Sequence, residues 1–127
     1  MFMRSPDWVR VGREREPLEP PLSLKVCRTF WSRGRGYLFL PPPSPGVGLL
    51  FWYPQASRLG SSIHMLGVSF PLAVIWLDEN RRVVDRKIAR PWQIALIPQR
   101  AAQFIIECHP QRLDDFSEGE LIDFLVG

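Results

Sequence analysis

The feature that most constrains this chain is its run of short apolar segments, each closed by a proline, a glycine or a polar turn before it can lengthen. Leu72-Ala73-Val74-Ile75-Trp76-Leu77 is the strongest of them, rich in β-branched and aromatic side chains. Leu49 to Tyr53 is another, stopped by Pro54, and Gln103 to Cys108 a third. Alternation marks Leu24 to Phe30 as a strand, while Asp78-Glu79-Asn80-Arg81 reads as a hairpin connection into Val83 to Ile88. Weaker strand signals lie at Tyr37 to Leu40, Ser62 to Leu66, Trp92 to Ile97 and Leu121 to Val126. One helical turn is expected over Ala56 to Leu59. Pro110 to Phe116 is the best helix, with Pro110 suited to its first position.

About eight brief strands with turn signals every 8–12 residues and no long amphipathic helix predict a mainly β fold. The expected architecture is a small antiparallel barrel or sandwich with one short helix near the C-terminus and no parallel crossover units. Residues 1–23 carry Pro17, Pro20 and Pro21 and no sustained period, so they read as an extended Pro/Arg-rich arm ahead of a single β domain at 24–127.

Charge bears on partners. Residues 1–36 hold eight Lys/Arg against four Asp/Glu, and residues 37–127 hold eight against nine, so the surplus sits in the lead. Glu14, Glu16 and Glu19 interleave with its arginines, and no basic helix or aromatic–basic motif follows, which disfavours nucleic acid. No apolar run reaches the ~18 residues of a membrane span. Met1 to Asp7 lacks the pattern of an export signal, so a cytoplasmic protein is expected. In that compartment Cys27 and Cys108 are expected to be buried free thiols.

An ordered set of blocks resembles the domain of unknown function 192 family of bacteria and archaea. The blocks are Gly48-Leu49-Leu50-Phe51, Ser62-Ile63-His64-Met65, Phe70-Pro71-Leu72 and Val74-Ile75-Trp76-Leu77-Asp78, followed by Ala89-Arg90-Pro91-Trp92, Ala101-Ala102-Gln103-Phe104 and Ile105-Ile106-Glu107. Phe116 to Leu121 is similar to the family's closing turn and strand, and the likeness covers roughly residues 24–126. Met65-Leu66-Gly67-Val68 departs from the polar pattern common in that family, and Ala73 stands where an aspartate is frequent. The resemblance implies a compact, mostly antiparallel β domain and no established reaction.

Four residues are candidates for chemistry. Glu107 ends the apolar run Phe104-Ile105-Ile106, where a carboxylate needs a partner; Arg33 or Arg100 would supply one, as a structural ion pair or as a ligand-binding pair. His64 offers either a proton shuttle or a loop-pinning hydrogen bond. Trp92, just after Arg90-Pro91, would be an exposed wall for a ligand, whereas Trp52, Trp76, Phe51, Phe70 and Phe104 supply core bulk. Metal, nucleotide and serine-hydrolase patterns are missing, and no cofactor is expected. The expected function is a non-catalytic binding or interaction module for a small polar ligand or peptide, through Arg33, His64, Trp92 and Glu107. A small acid–base enzyme using His64 and Glu107 is the alternative. The expected assembly is a monomer or weak dimer.

Overall fold

The computed structural model describes residues 7–126, except for the side chains of Phe30 and Trp31. The expectation drawn from the first six residues lies outside them. In chain order the elements are β1 (Trp8–Arg13), β2 (Glu16–Pro17), β3 (Ser23–Cys27), α1 (Phe30–Arg35), β4 (Val47–Ser57), β5 (Leu72–Leu77), β6 (Val83–Ala89), β7 (Ala102–Cys108), a 3-10 helix (Pro110–Asp115) and β8 (Asp123–Leu125). The fold is mainly β, as expected. The eight strands form one curled sheet in the order β2-β1-β3-β4-β7-β5-β6, with β8 also on β1.

Why the central strands read as unbroken apolar runs is plain from their packing: both faces are covered. On β5, Ala73, Ile75 and Leu77 join one core with Val9, Leu24, Leu50, Ile106 and Phe116. Leu72, Val74 and Trp76 point the other way, into a second core with Phe51, Met65, Val68 and Ile105. The period-2 alternation survives, but each side lands on oil.

One expectation is corrected. β3 and β4 pair in parallel, Ser23 opposite Val47 through Cys27 opposite Phe51. A parallel pair needs a connection of a dozen or more residues, and the stretch from Arg28 to Gly46 meets that need with a six-residue helix and a proline-rich return. The absence of a long helix therefore did not exclude a crossover. α1 itself replaces the end of the expected strand. Thr29 opens it with a capping box, its side chain accepting from the Ser32 N–H while Ser32 Oγ accepts from the Thr29 N–H.

Other boundaries also move. Tyr37 to Leu40 is a turn, Ser62–Leu66 and Trp92–Ile97 are joined by an isolated Ile63–Leu96 bridge and a Met65 N–H to Gln93 O hydrogen bond instead of forming strands, and the expected turn at Ala56 is the end of β4. The 3-10 helix starts at Pro110 and is capped by His109 Nδ1, which accepts from the Gln111 N–H at 3.0 Å. Trp8–Arg13, in the leading Pro/Arg-rich stretch, is extended and pairs with β3 and β8, burying Val9 and Val11. Its charges meet the acidic C-terminal stretch: Arg13 forks onto Glu120 at 2.8 and 2.9 Å, and the Arg15 N–H donates to Asp123.

Candidate functional site

Glu107 lies on β7 between β4 and β5, opposite Leu49 on one side and Val74 on the other. Alternation along β7 sends Ile106 and Cys108 into the first core and Ile105 and Glu107 toward the second. There the side chain meets a cavity of about 220 Å³ instead of packed carbon. Glu107 is the most buried polar residue in the wall of that cavity, 4% exposed. Among the described residues no hydrogen bond or ion pair reaches it; the expected partners Arg33 and Arg100 make none, and Arg100 is exposed. Burial without a compensating charge pushes its pKa up to about 8, so the group is mostly the neutral acid at pH 7.

The space for that acid is made by Gly36. This residue ends α1 with φ near +50°, and a Cβ there would stand 3.2 Å from Glu107 Oε1 and 3.4 Å from Phe51 Cζ. A glycine meets both demands, the left-handed backbone and the close approach of the carboxyl. Tyr37 follows, buried and packed edge-on against Phe70; burial, then the nearby Glu107 charge, raises its phenol.

Three of the four expected site residues line this one cavity: Arg33, His64 and Glu107. Arg33, on α1, is held by the connection from β3 and by β4. Its Nη1 donates to the carbonyls of Arg28 at 2.7 Å and Trp52 at 3.0 Å, and its guanidinium stacks 4.7 Å above the Tyr53 ring. That cation lowers the Tyr53 phenol, but burial outweighs it and leaves the phenol raised. His64 sits on the covering loop, exposed, with Nδ1 accepting from the Leu66 N–H at 3.3 Å. The neutral ring then carries its proton on Nε2, a donor available to a ligand.

Trp92 lies apart. It is 61% exposed, adopts a left-handed φ of 62° and donates its backbone N–H to Val68 O, but its ring is not part of the cavity lining. Residues the sequence did not single out complete the wall: Arg35, Gly36, Tyr37 and Tyr53, with Met65 and Leu66 from the loop. The pattern Gly34-Arg35-Gly36 reads in sequence as a turn and ends α1 in the structure, but nothing local ties it to a glutamate more than seventy residues later. The covering loop is anchored by Trp76, whose Nε1 donates to Ser61 O at 2.8 Å. Cys27 and Cys108 are buried free thiols in opposite cores.

A curled β sheet with a buried, unpartnered carboxyl under a loop defines a small β domain with a built cavity. The family model described as "Uncharacterized ACR, COG1430" (DUF192) matches residues 13–124, and the chain belongs to this family. A UPF0127 protein of Thermococcus sibiricus is 38% identical over 100 residues, covering 79% of this chain and 62% of the relative. The UPF0127 protein TK1120 of Thermococcus kodakarensis is 38% identical over 103 residues, 80% of this chain and 64% of its own length. The chain thus matches somewhat under two thirds of these archaeal relatives. Two crystal structures share the fold: a candidate transcription regulator of Sinorhizobium meliloti (TM-score 0.79, 14% identity, 92% of each chain) and a protein of unknown function from Novosphingobium aromaticivorans (TM-score 0.72, 17% identity, 91% of this chain and 83% of that one).

Proposed function

We propose that this domain is a binding module for a small polar ligand, held in the cavity lined by Arg33, His64 and Glu107. The observation that carries the reading is the Glu107 carboxyl: it is buried, faces a cavity, and is used by no protein group among the described residues. A buried acid left without a partner costs stability, so the fold itself gains nothing from it. The cavity of about 220 Å³ falls below the ~300–1,000 Å³ of sites for drug-sized ligands, which favours a compact metabolite-sized occupant. The reading needs three of the four residues singled out in the sequence; Trp92 is not among them.

The test is a two-dimensional NMR titration of the 15N-labelled protein with neutral polyols, organic anions and organic amines at tens of millimolar. Shifts should cluster at Gly36, Met65, Leu66 and Glu107. They should vanish in a folded Glu107→Leu, His64→Ala double variant. Shifts confined to other surfaces, or unchanged in that variant, would remove the site assignment.

A second reading is supported by one observation: His64 and Glu107 line the same cavity, and the glutamate's pKa of about 8 suits proton transfer near neutral pH. An acid–base enzyme would show turnover with a bell-shaped pH profile that collapses in Glu107→Gln. A pure binding module would show saturable binding alone.

A further inference from the structure

The groups around the cavity are unequal in a way that selects a ligand. Its fixed charges are two guanidiniums, Arg33 and Arg35, and neither forms an ion pair with a carboxylate among the described residues. Arg33 has committed Nη1 to two carbonyls, which leaves its other donors and locks its position. His64 adds an Nε2–H donor, because Nδ1 is occupied as an acceptor. Ser62, also in the wall, spends its hydroxyl proton on Leu59 O. At the floor Glu107 contributes one O–H donor and one carbonyl acceptor when protonated.

The titratable groups that share the cavity wall with that carboxyl are Arg33 and Arg35 from α1, Tyr37 from the turn after it, Tyr53 from β4 and His64 from the loop, and Cys27 from β3 lies within reach of its charge. β5 presents Leu72, Val74 and Trp76 on this face, none of them an ionisable group. Burial is the leading cause that holds the thiol and both phenols toward their neutral forms. Glu107 is the single acid of the cavity lining among the described residues.

We propose that the ligand of this cavity is a small organic anion, a carboxylate with a neighbouring hydroxyl or keto oxygen, its carboxylate drawn to the positive wall that Arg33 and Arg35 supply and its second oxygen on the Glu107 acid. The proposal rests on the binding reading above and names the chemical class of its ligand. An amine would meet two guanidiniums at the mouth. A neutral polyol would forgo the charge-assisted hydrogen bonds the arginines offer. The carboxylate gains such bonds, and the protonated glutamate supplies the inner donor without adding a like charge.

The experiment compares three probes of nearly one shape and different charge: lactate, 1,2-propanediol and 1-amino-2-propanol, titrated by NMR as above. Lactate should bind on the order of tenfold more tightly than the diol, and Arg35→Gln should lose most of that advantage. Lactate affinity should be flat below pH 8 and fall above it, approaching about tenfold per pH unit, because the ionised Glu107 repels the anion. Glu107→Gln keeps a donor and cannot ionise, so its lactate affinity should persist and stay level through the same range.

If the diol or the amine matches lactate at the cavity, the anion assignment is overturned while the binding reading stands. If none of the three perturbs the cavity, both fall. A wild-type affinity level through pH 9 would remove Glu107 as the inner contact.

Discussion

Glu107 links folding stability to pH with a sign opposite to that of most carboxylates. In the unfolded chain its pKa returns to the ordinary glutamate range, near 4.5, whereas in the folded protein burial holds it at about 8. Below the lower value both states are protonated and the full stability is present. Between the two values the unfolded state releases a proton that the folded state keeps, so unfolding becomes easier as pH rises. Above pH 8 both states are ionised and the loss is complete. At roughly 1.4 kcal/mol per pH unit, the span amounts to a loss on the order of 5 kcal/mol. That is a large part of the ~5–15 kcal/mol a domain of this size possesses. Urea denaturation of the wild type and Glu107→Gln at pH 5, 7 and 9 measures it. The buried amide adds a cost that does not vary with pH, so the quantity to read is the difference between the two proteins as pH changes. Wild type should lose ground to the variant steadily from pH 5 to pH 8. Parallel curves across that range would refute the reasoning, since they would mean that Glu107 ionises normally and is therefore solvated or paired.

Three further outcomes follow from the same geometry. Gly36→Ala places a Cβ 3.2 Å from Glu107 Oε1 on a left-handed backbone, and should cost roughly 1–2 kcal/mol in denaturation together with a weaker response to lactate; an unchanged midpoint would contradict the close approach. Asp85→Asn weakens bonds from the Arg86 and Gln99 N–H groups at 2.8 and 3.0 Å and a Lys87 contact at 3.4 Å, and should cost about 1–3 kcal/mol at neutral pH, where a null effect would show that those bonds carry no weight. Burial raises both thiols, Cys108 to about 12, so neither should react quickly with iodoacetamide at pH 8 until urea exposes them. Rapid labelling of native Cys27 would show that α1 and the proline-rich return open above it.

The sheet was largely legible because its signals are local. The alternation of β3, the apolar run of β5 and the Asp78–Arg81 connection each describe a few consecutive residues; β5 and β6 lie within a residue of them, while β3 stops three residues short, at Cys27. Pro110 at the start of the 3-10 helix is the same kind of signal. What failed was long-range or depended on a cap. The parallel pairing of β3 with β4 is decided by how the connection packs, and the capping box of Thr29 and Ser32 is a weak pattern inside a strand-like stretch. At the site, the type and sequence neighbours of Glu107 and His64 drew notice, and both line one cavity. Arg35 and Gly36 did not, because their part depends on a carboxyl that arrives from β7 across the sheet. Trp92 was picked for exposure, which it has, but the cavity opens elsewhere.

Two acids are buried in this sheet, and their difference separates architecture from a site. Asp85 on β6 is 6% exposed and has its oxygens engaged by two backbone N–H groups and a lysine; it ties the segment around Gln99 to the sheet edge. Glu107 is as deeply buried and engaged by no group among the described residues, although Ile105, two residues earlier on the same face, shows that carbon packs well there. Replacing Asp85 removes interactions that hold the fold. Replacing Glu107 by leucine removes a group whose ionisation the fold resists, and should raise stability at neutral pH while abolishing binding. That pair of consequences is what the proposed binding role predicts, with a ligand supplying from outside the chain the hydrogen bonds the protein withholds.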